Sequence, residues 1–436
     1  MDKITVIGAG LAGCEAAYAI ANAGIKVNLV EMKPLKKSAA HKSDNFAELV
    51  CSNSLKAKRI DSAAGLLKQE MRLLGSLCLE AADASQVAAG GALAVDRDAF
   101  SAYITEKIKN NANITVINQV AEVINPDELT VVATGPLTDG MLSKSIECFC
   151  NAENLSFYDA AAPIVTADSI DFDNAFTASR YDREESGDGD YINCPMNKQE
   201  YEHFHAALVS AQGAPIHEFD KQPNVYEGCM PIEVLARRGI DSIRFGPLKP
   251  VGLKDPKTGH RPWAVVQLRK ENSKGTLYNI VGFQTNLKFG EQKRVFSMIP
   301  ALKNADFVRY GVMHRNSFIN SPKLLNADLS LKKAENIFFA GQLSGVEGYM
   351  ESAASGIIAG INAVNKLKEL PPVILPKISM IGALLGYITD SSVTNFQPMG
   401  ANFGILPPLE IHIRDKRERY AALSKRSLDF LEDEFL

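Results

Sequence analysis

The residues best placed to do chemistry lie at the start of the chain. Gly8-Ala9-Gly10-Leu11-Ala12-Gly13 follows a short β-rich apolar run at residues 3–8 and opens a helical pattern over 12–23. Glu31 closes the next β-rich run about 20 residues on, which completes the dinucleotide fingerprint in its required context. The first glycine permits the turn, the second lets a pyrophosphate approach the backbone, and the third allows close helix packing. Free amides at the helix start favour the anion, and Glu31 is positioned for a ribose hydroxyl. Choosing FAD over NAD needs a second signal, which residues 337–354 supply. There a buried strand meets a glycine turn and then a small-residue helix, so that Gly341, Gln342, Gly348, Tyr349, Met350 and Glu351 join Gly8, Ala9, Gly10, Leu11, Ala12, Gly13 and Glu31 as candidate cofactor contacts. A helix N-terminus returning to the first domain can stabilise negative charge on a reduced flavin.

Two of the seven cysteines stand out by context. Cys51 is close in sequence to Lys56, Lys58 and Arg59, whose charges can lower a thiol pKa. Cys229 lies in the tight setting Gly228-Cys229-Met230-Pro231. Considered without their family, both also fit buried packing cysteines, the reading given to Cys14, Cys78, Cys148, Cys150 and Cys194. An odd number of dispersed cysteines does not look like a disulfide framework and fits a reducing, cytoplasmic compartment. His203 and His205 are two apart in a helical pattern and so face different ways, and no metal site is expected. His314 is open between a site role and a structural one.

Elements must position these groups. The β-α-β opening implies a parallel sheet that continues through strands at 114–118 and 129–135 and a helix over 99–109 capped by Asp98. Residues 33–59 read as a polar loop, 62–74 as a helix, 198–212 as another, and 411–436 as a charged amphipathic helix. The resulting expectation is an α/β fold. A Rossmann-type FAD-binding domain (1–144 and 325–375) receives an inserted α/β substrate or RNA domain (145–324) and is followed by a helical C-terminal segment (376–436). At 436 residues, 46% hydrophobic and 22% charged, the chain is long enough for two or three cores. With 47 Lys+Arg against 51 Asp+Glu the net charge of −4 announces no nucleic acid, so RNA contact must use local clusters such as 254–274, 288–294 or 414–426. No apolar run has membrane-spanning length, and no targeting segment is read.

Over nearly its whole length the sequence resembles the bacterial folate- and FAD-dependent tRNA uracil-5 methyltransferases, smaller relatives of the GidA flavoproteins. The resemblance rests on residues 47–55, 90–97, 133–137, 191–196, 228–233, 244–253, 264–272, 308–316 and 339–356, long words in the same order. It implies formation of 5-methyluridine at position 54 in the T-arm of tRNA, with methylenetetrahydrofolate as carbon donor. Reduced FAD would carry the carbon, and NADPH or NADH would supply electrons. It also implies that Cys51 and Cys229 are a catalytic pair. Thiolate addition to carbon 6 activates carbon 5 of uracil, and Cys229 is assigned that attack. Cys51 is assigned proton removal or protection of the flavin adduct, and Tyr349 stacking on pterin or flavin. Phe289 departs from the tryptophan common in relatives, and Trp263 replaces a common tyrosine. The alternatives are methylation of a 23S ribosomal RNA uridine and a non-catalytic flavin-bound RNA-binding protein. No membrane association is expected, and no protein partner is inferred.

Overall fold

The computed structural model describes residues 3–38, 40–150, 154–160, 162–180, 190–214, 230–311, 313–394 and 396–435. Its first sheet has six strands in the order Ser330–Leu331, Ala334–Phe339, Thr130–Val132, Lys3–Ile7, Lys26–Glu31, Ile114–Asn118. All pairings are parallel except the outermost, between Ser330–Leu331 and Ala334–Phe339. Central parallel strands are covered on both faces and therefore read as apolar runs. Ile4, Val6, Leu29, Val131, Val132 and Phe339 are accordingly without solvent exposure. Helices Leu11–Asn22 and Tyr349–Leu367 lie against each other beside this sheet. Glycine makes that approach possible, because a Cβ on Gly356 would stand 2.2 Å from the Ala12 carbonyl oxygen.

The second sheet is antiparallel, in the order Phe176–Thr177, Tyr191–Met196, Ala264–Lys270, Leu277–Ile280, Ile164–Thr166, Phe307–Arg309. A two-stranded ladder joins the chain leaving the first sheet to the chain returning to it, pairing Asn154 with Ile319 through Ala160 with Met313. Alternation gives the six-stranded sheet two unlike faces. Ile192, Cys194, Met196, Val266, Leu268 and Ile280 belong to a hydrophobic core with Tyr201, Phe204 and Leu208 of helix Lys198–Ser210. On the opposite face stand Asn193, Gln267, Arg269 and Asn279, which are polar and yet buried. A buried polar sheet face demands partners, and much of the site provides them.

The structure corrects several expectations. Helix Arg97–Lys109 is capped by Asp96, not Asp98: the Asp96 carboxylate accepts from Asp98 N and Ala99 N at 3.1 Å each. The segment read as a loop over 33–59 contains strand Ser54–Ala57, which pairs with Ala92–Val95. Helix Leu77–Ala84 was not read from the sequence, while Met380–Ile388 falls inside the segment 376–436 expected to be helical. In the tail only Lys416–Phe430 is α-helical, with a π-helical turn at Leu431–Phe435. Cys148 is exposed, whereas Cys14, Cys78, Cys150 and Cys194 are buried as packing cysteines. Among the described residues no helix is long and apolar enough to cross a membrane.

Candidate active site

Two helix N-termini converge on one cleft. Ser62, Ser76, Asp96, Asn197, Ser379 and Asp415 each cap a helix with a side chain, whereas helices Leu11–Asn22 and Tyr349–Leu367 begin at Gly10 and Gly348 with no side-chain cap. Uncapped amides at a helix start are an anion site. The cleft between them has a volume of about 680 Å³, within the range of cofactor sites. Gly8, Ala9, Gly10, Leu11, Ala12, Glu31, Gly341, Gln342, Gly348, Tyr349, Met350, Glu351 and Cys51 all line it. Gly13 does not; a Cβ there would lie 1.8 Å from the Gly8 carbonyl oxygen, so this glycine serves close packing. Gly8 has φ +98°, while a Cβ on Gly10 would meet nothing within 4 Å, leaving the backbone open to a ligand.

Glu31 is buried, and its carboxylate accepts from Ala9 N at 2.6 Å and Lys33 N at 3.0 Å. It thereby fixes the glycine turn and keeps lone pairs for a ribose hydroxyl. Across the cleft Glu351 is ion-paired with Lys56 at 2.7 Å, and its Oε2 is buried without a hydrogen-bond partner. An orphaned buried carboxylate oxygen at a helix N-terminus, with the open glycine turn opposite, is the polar equipment a dinucleotide such as FAD requires. The residues present therefore fit that group.

Cys51 sits on a loop held by side chains instead of a strand ladder. The carbonyls of Leu49, Val50 and Cys51 accept from Arg97, Arg309 and Arg97 respectively, the last at 2.8 Å. Arg269 donates to Asn53 Oδ1 at 2.9 Å and Ser52 Oγ at 2.8 Å. Tyr349 Oη accepts from Cys51 N at 2.7 Å and Ser52 N at 3.2 Å. The hydroxyl assigned to a stacking tyrosine thus positions the cysteine loop. Ala47 and Lys56, at the loop's two ends, have φ +50° and +64°, a conformation non-glycine residues hold only when their surroundings impose it. Burial pushes Arg97 down to about 10, and the Tyr349 hydroxyl and Cys51 thiol offset this by favouring its charge. Arg269 is lowered by burial in the same way, with Tyr191 and Cys51 opposing.

Beyond Cys51 lies a second chamber of about 330 Å³, which shares Cys51, Ser52 and Gln284 with the cleft. Met230, Leu235, Pro247 and Val281 form its apolar walls, and Arg269 and Asn279 add polar groups from the sheet. Cys229, which immediately precedes Met230, lies outside the described residues, as does most of the acidic stretch before Asp190. The backbone of His314 is in strand Met313–Ile319, and its side chain is outside the described set. Phe289 stacks on Tyr310 at 4.9 Å and 15°, so aromatic stacking persists without the tryptophan. Trp263 carries the Arg244 guanidinium 3.9 Å above its ring. His205 contacts the Ala236 carbonyl at 3.0 Å. Sequence reasoning passed over Arg97, Arg269, Arg309, Asn53 and Asn279. The available signal was polar Gln267 and Arg269 alternating with apolar residues inside strand Ala264–Lys270.

The family model for glucose inhibited division protein A matches residues 3–371. A methylenetetrahydrofolate--tRNA-(uracil-5-)-methyltransferase TrmFO from Acetivibrio thermocellus is 59% identical over 433 residues, covering 99% of this chain and 98% of that protein. The chain belongs to the TrmFO family of GidA-related flavoproteins. Another TrmFO, from Enterococcus faecalis, is 56% identical over 427 residues, covering 98% of this chain and 97% of the relative. Among solved structures, GidA of Aquifex aeolicus superposes with a TM-score of 0.69 at 18% identity, covering 97% of this chain and 73% of that one. At that identity the likeness concerns the TrmFO fold alone.

Proposed function

We propose that this protein methylates carbon 5 of a uridine in the T-arm of tRNA. The carbon comes from methylenetetrahydrofolate, FAD occupies the glycine-lined cleft, and cytoplasmic NADPH or NADH supplies electrons. The observation that carries this reading is the continuity, at Cys51, between a dinucleotide-type cleft and a second, smaller chamber. A base entering that chamber meets the thiol at the boundary. The named activity of relatives alike over nearly the whole chain supports the same reading.

In it, the amides of the Gly10 and Gly348 helix starts receive negative charge, and Glu31 accepts from a ribose hydroxyl. When bound, FAD supplies the carbon-carrying and redox chemistry by which a methylene group becomes a methyl group. Cys229 attacks carbon 6 of uracil as the thiolate, so that carbon 5 gains the nucleophilic character it lacks in the free base. Cys51, held by Tyr349 and the arginines, takes the carbon 5 proton or shields the flavin. Loss of that proton then breaks the bond between sulfur and carbon 6 and restores the ring.

RNA carrying 5-fluorouridine at the target tests the thiol route, because fluorine cannot leave as a cation and release is blocked. The wild-type protein should form a covalent adduct, and Cys229→Ser should retain FAD while losing both adduct and turnover. Trapping abolished by Cys51→Ser and intact in Cys229→Ser would exchange the two roles. Absence of any adduct with an active enzyme would overturn thiolate attack.

A further inference from the structure

The second chamber contains a polar group that the fold leaves unused. Asn279 is only 3% exposed, and its Nδ2 has no hydrogen-bond partner. Its neighbours on the same sheet face are paired: Gln267 donates to Asn193 Oδ1 at 2.9 Å, Arg180 donates to Gln267 Oε1 at 3.0 Å, and Arg269 holds Ser52 and Asn53. Asn279 stands directly opposite Arg269 on the adjacent strand, and both line the chamber that Cys51 borders. Buried amides left without partners are rare because the lost hydration is not repaid. One that lines a cavity is a donor kept for whatever enters.

We propose that Asn279 reads the target base, donating from Nδ2 to the O4 carbonyl of uracil. This rests on the function proposed above and extends it to base selection. The unused group is a donor, and the uracil edge offers a carbonyl acceptor where cytosine carries an amino donor. The apolar walls formed by Met230, Leu235, Pro247 and Val281 suit the faces of a flat ring. The donor also serves the chemistry. When a thiolate adds to carbon 6, the electron pair of the 5,6 double bond moves toward O4 and negative charge develops there. A fixed amide donor beside the Arg269 cation stabilises that charge at the moment it forms. When the ring is restored the pair returns, so Asn279 neither gains nor loses a proton.

The test uses the FAD-loaded full-length protein and two tRNA transcripts, one with uridine and one with cytidine at the target. Methyl transfer, flavin absorbance and RNA affinity are measured for wild type, Asn279→Ala and the nearly isosteric Asn279→Asp. Both variants should keep flavin and RNA binding but lose roughly a hundredfold or more in kcat on uridine. Asn279→Asp should also raise the relative use of cytidine by about tenfold or more, since an acceptor now faces an amino group. Uridine turnover in both variants within about threefold of wild type would overturn the assignment, as would a uridine-to-cytidine ratio in Asn279→Asp equal to that of wild type. Wild-type protein that transfers no methyl group to uridine would instead reject the underlying function.

Discussion

Glu31 shows how a single residue can be legible in sequence and still do more than sequence indicates. Its spacing from the glycine turn marks a ribose contact, but the structure adds two amide donors, Ala9 N and Lys33 N, that make it a brace for the turn itself. Glu31→Ala should therefore weaken FAD binding by about 1–3 kcal/mol, roughly fivefold to 150-fold in Kd. Titration of the flavin-free variant checks this, and an unchanged Kd would show that the carboxylate faces nothing in the bound cofactor. Tyr349 supplies a second case at this scale. Tyr349→Phe removes the acceptor for Cys51 N and Ser52 N, so turnover should fall while FAD absorbance persists. Retained turnover in that variant would show that the arginines alone hold the loop. The arginines around Cys51 were not legible, since Arg97, Arg269 and Arg309 converge from positions 46 to 259 residues away from the carbonyls and side chains they hold. No local periodicity encodes such a meeting.

At the scale of elements, the helix pair Leu11–Asn22 and Tyr349–Leu367 determines the width of the cleft. Where the two helices touch, Gly356 and Gly360 pack directly on Ala12 and Ala16, with a Cβ on Gly356 falling 2.2 Å from backbone oxygen that cannot move aside cheaply. Gly356→Val should force the helices apart, costing about 3 kcal/mol or more, and should release FAD because Gly348–Glu351 moves with the helix start. Thermal unfolding and flavin content measured together check this; a variant with normal flavin content would contradict it. These two helices and the parallel strands were readable because their period and punctuation are local. Strand Ser54–Ala57 was not, since its ladder partner Ala92–Val95 lies far along the chain, beyond helices Ala63–Leu73 and Leu77–Ala84, so that no hairpin turn marks the pairing. Asp96 was passed over as a cap in favour of Asp98 because either residue could cap the same helix; only the first reaches the N2 and N3 amides.

At the scale of the molecule, Glu70 ties three separated helices together. Its carboxylate in helix Ala63–Leu73 accepts from Met380 N at 2.7 Å, Ile381 N at 2.8 Å and Ser427 Oγ at 2.6 Å. Burial nonetheless pushes it from an ordinary 4.5 up to about 7. The folded state then holds this proton more tightly than the unfolded chain. Its contribution to stability is fully present below about pH 4.5 and is lost as pH rises through about 7, a difference of roughly 3 kcal/mol. The Tm gap between wild type and Glu70→Gln should narrow from pH 5 to pH 8, and a constant gap would contradict the raised pKa. A second joint couples strand Ala92–Val95 to strand Ala264–Lys270 of the antiparallel sheet, where Asn53 donates to Val95 O and Lys270 O at 3.0 and 2.9 Å beside the Arg97–Glu271 ion pair. That joint brings the cysteine loop, the cleft and the second chamber into one place, and the central claim is that they work together on uridine. The most direct measurement supplies the FAD-loaded protein, NADPH and a tRNA transcript with either methylenetetrahydrofolate labelled in its methylene carbon or S-adenosylmethionine labelled in its methyl group. Label should appear in 5-methyluridine of the T-arm only with the folate; label entering the RNA only from S-adenosylmethionine would contradict the account.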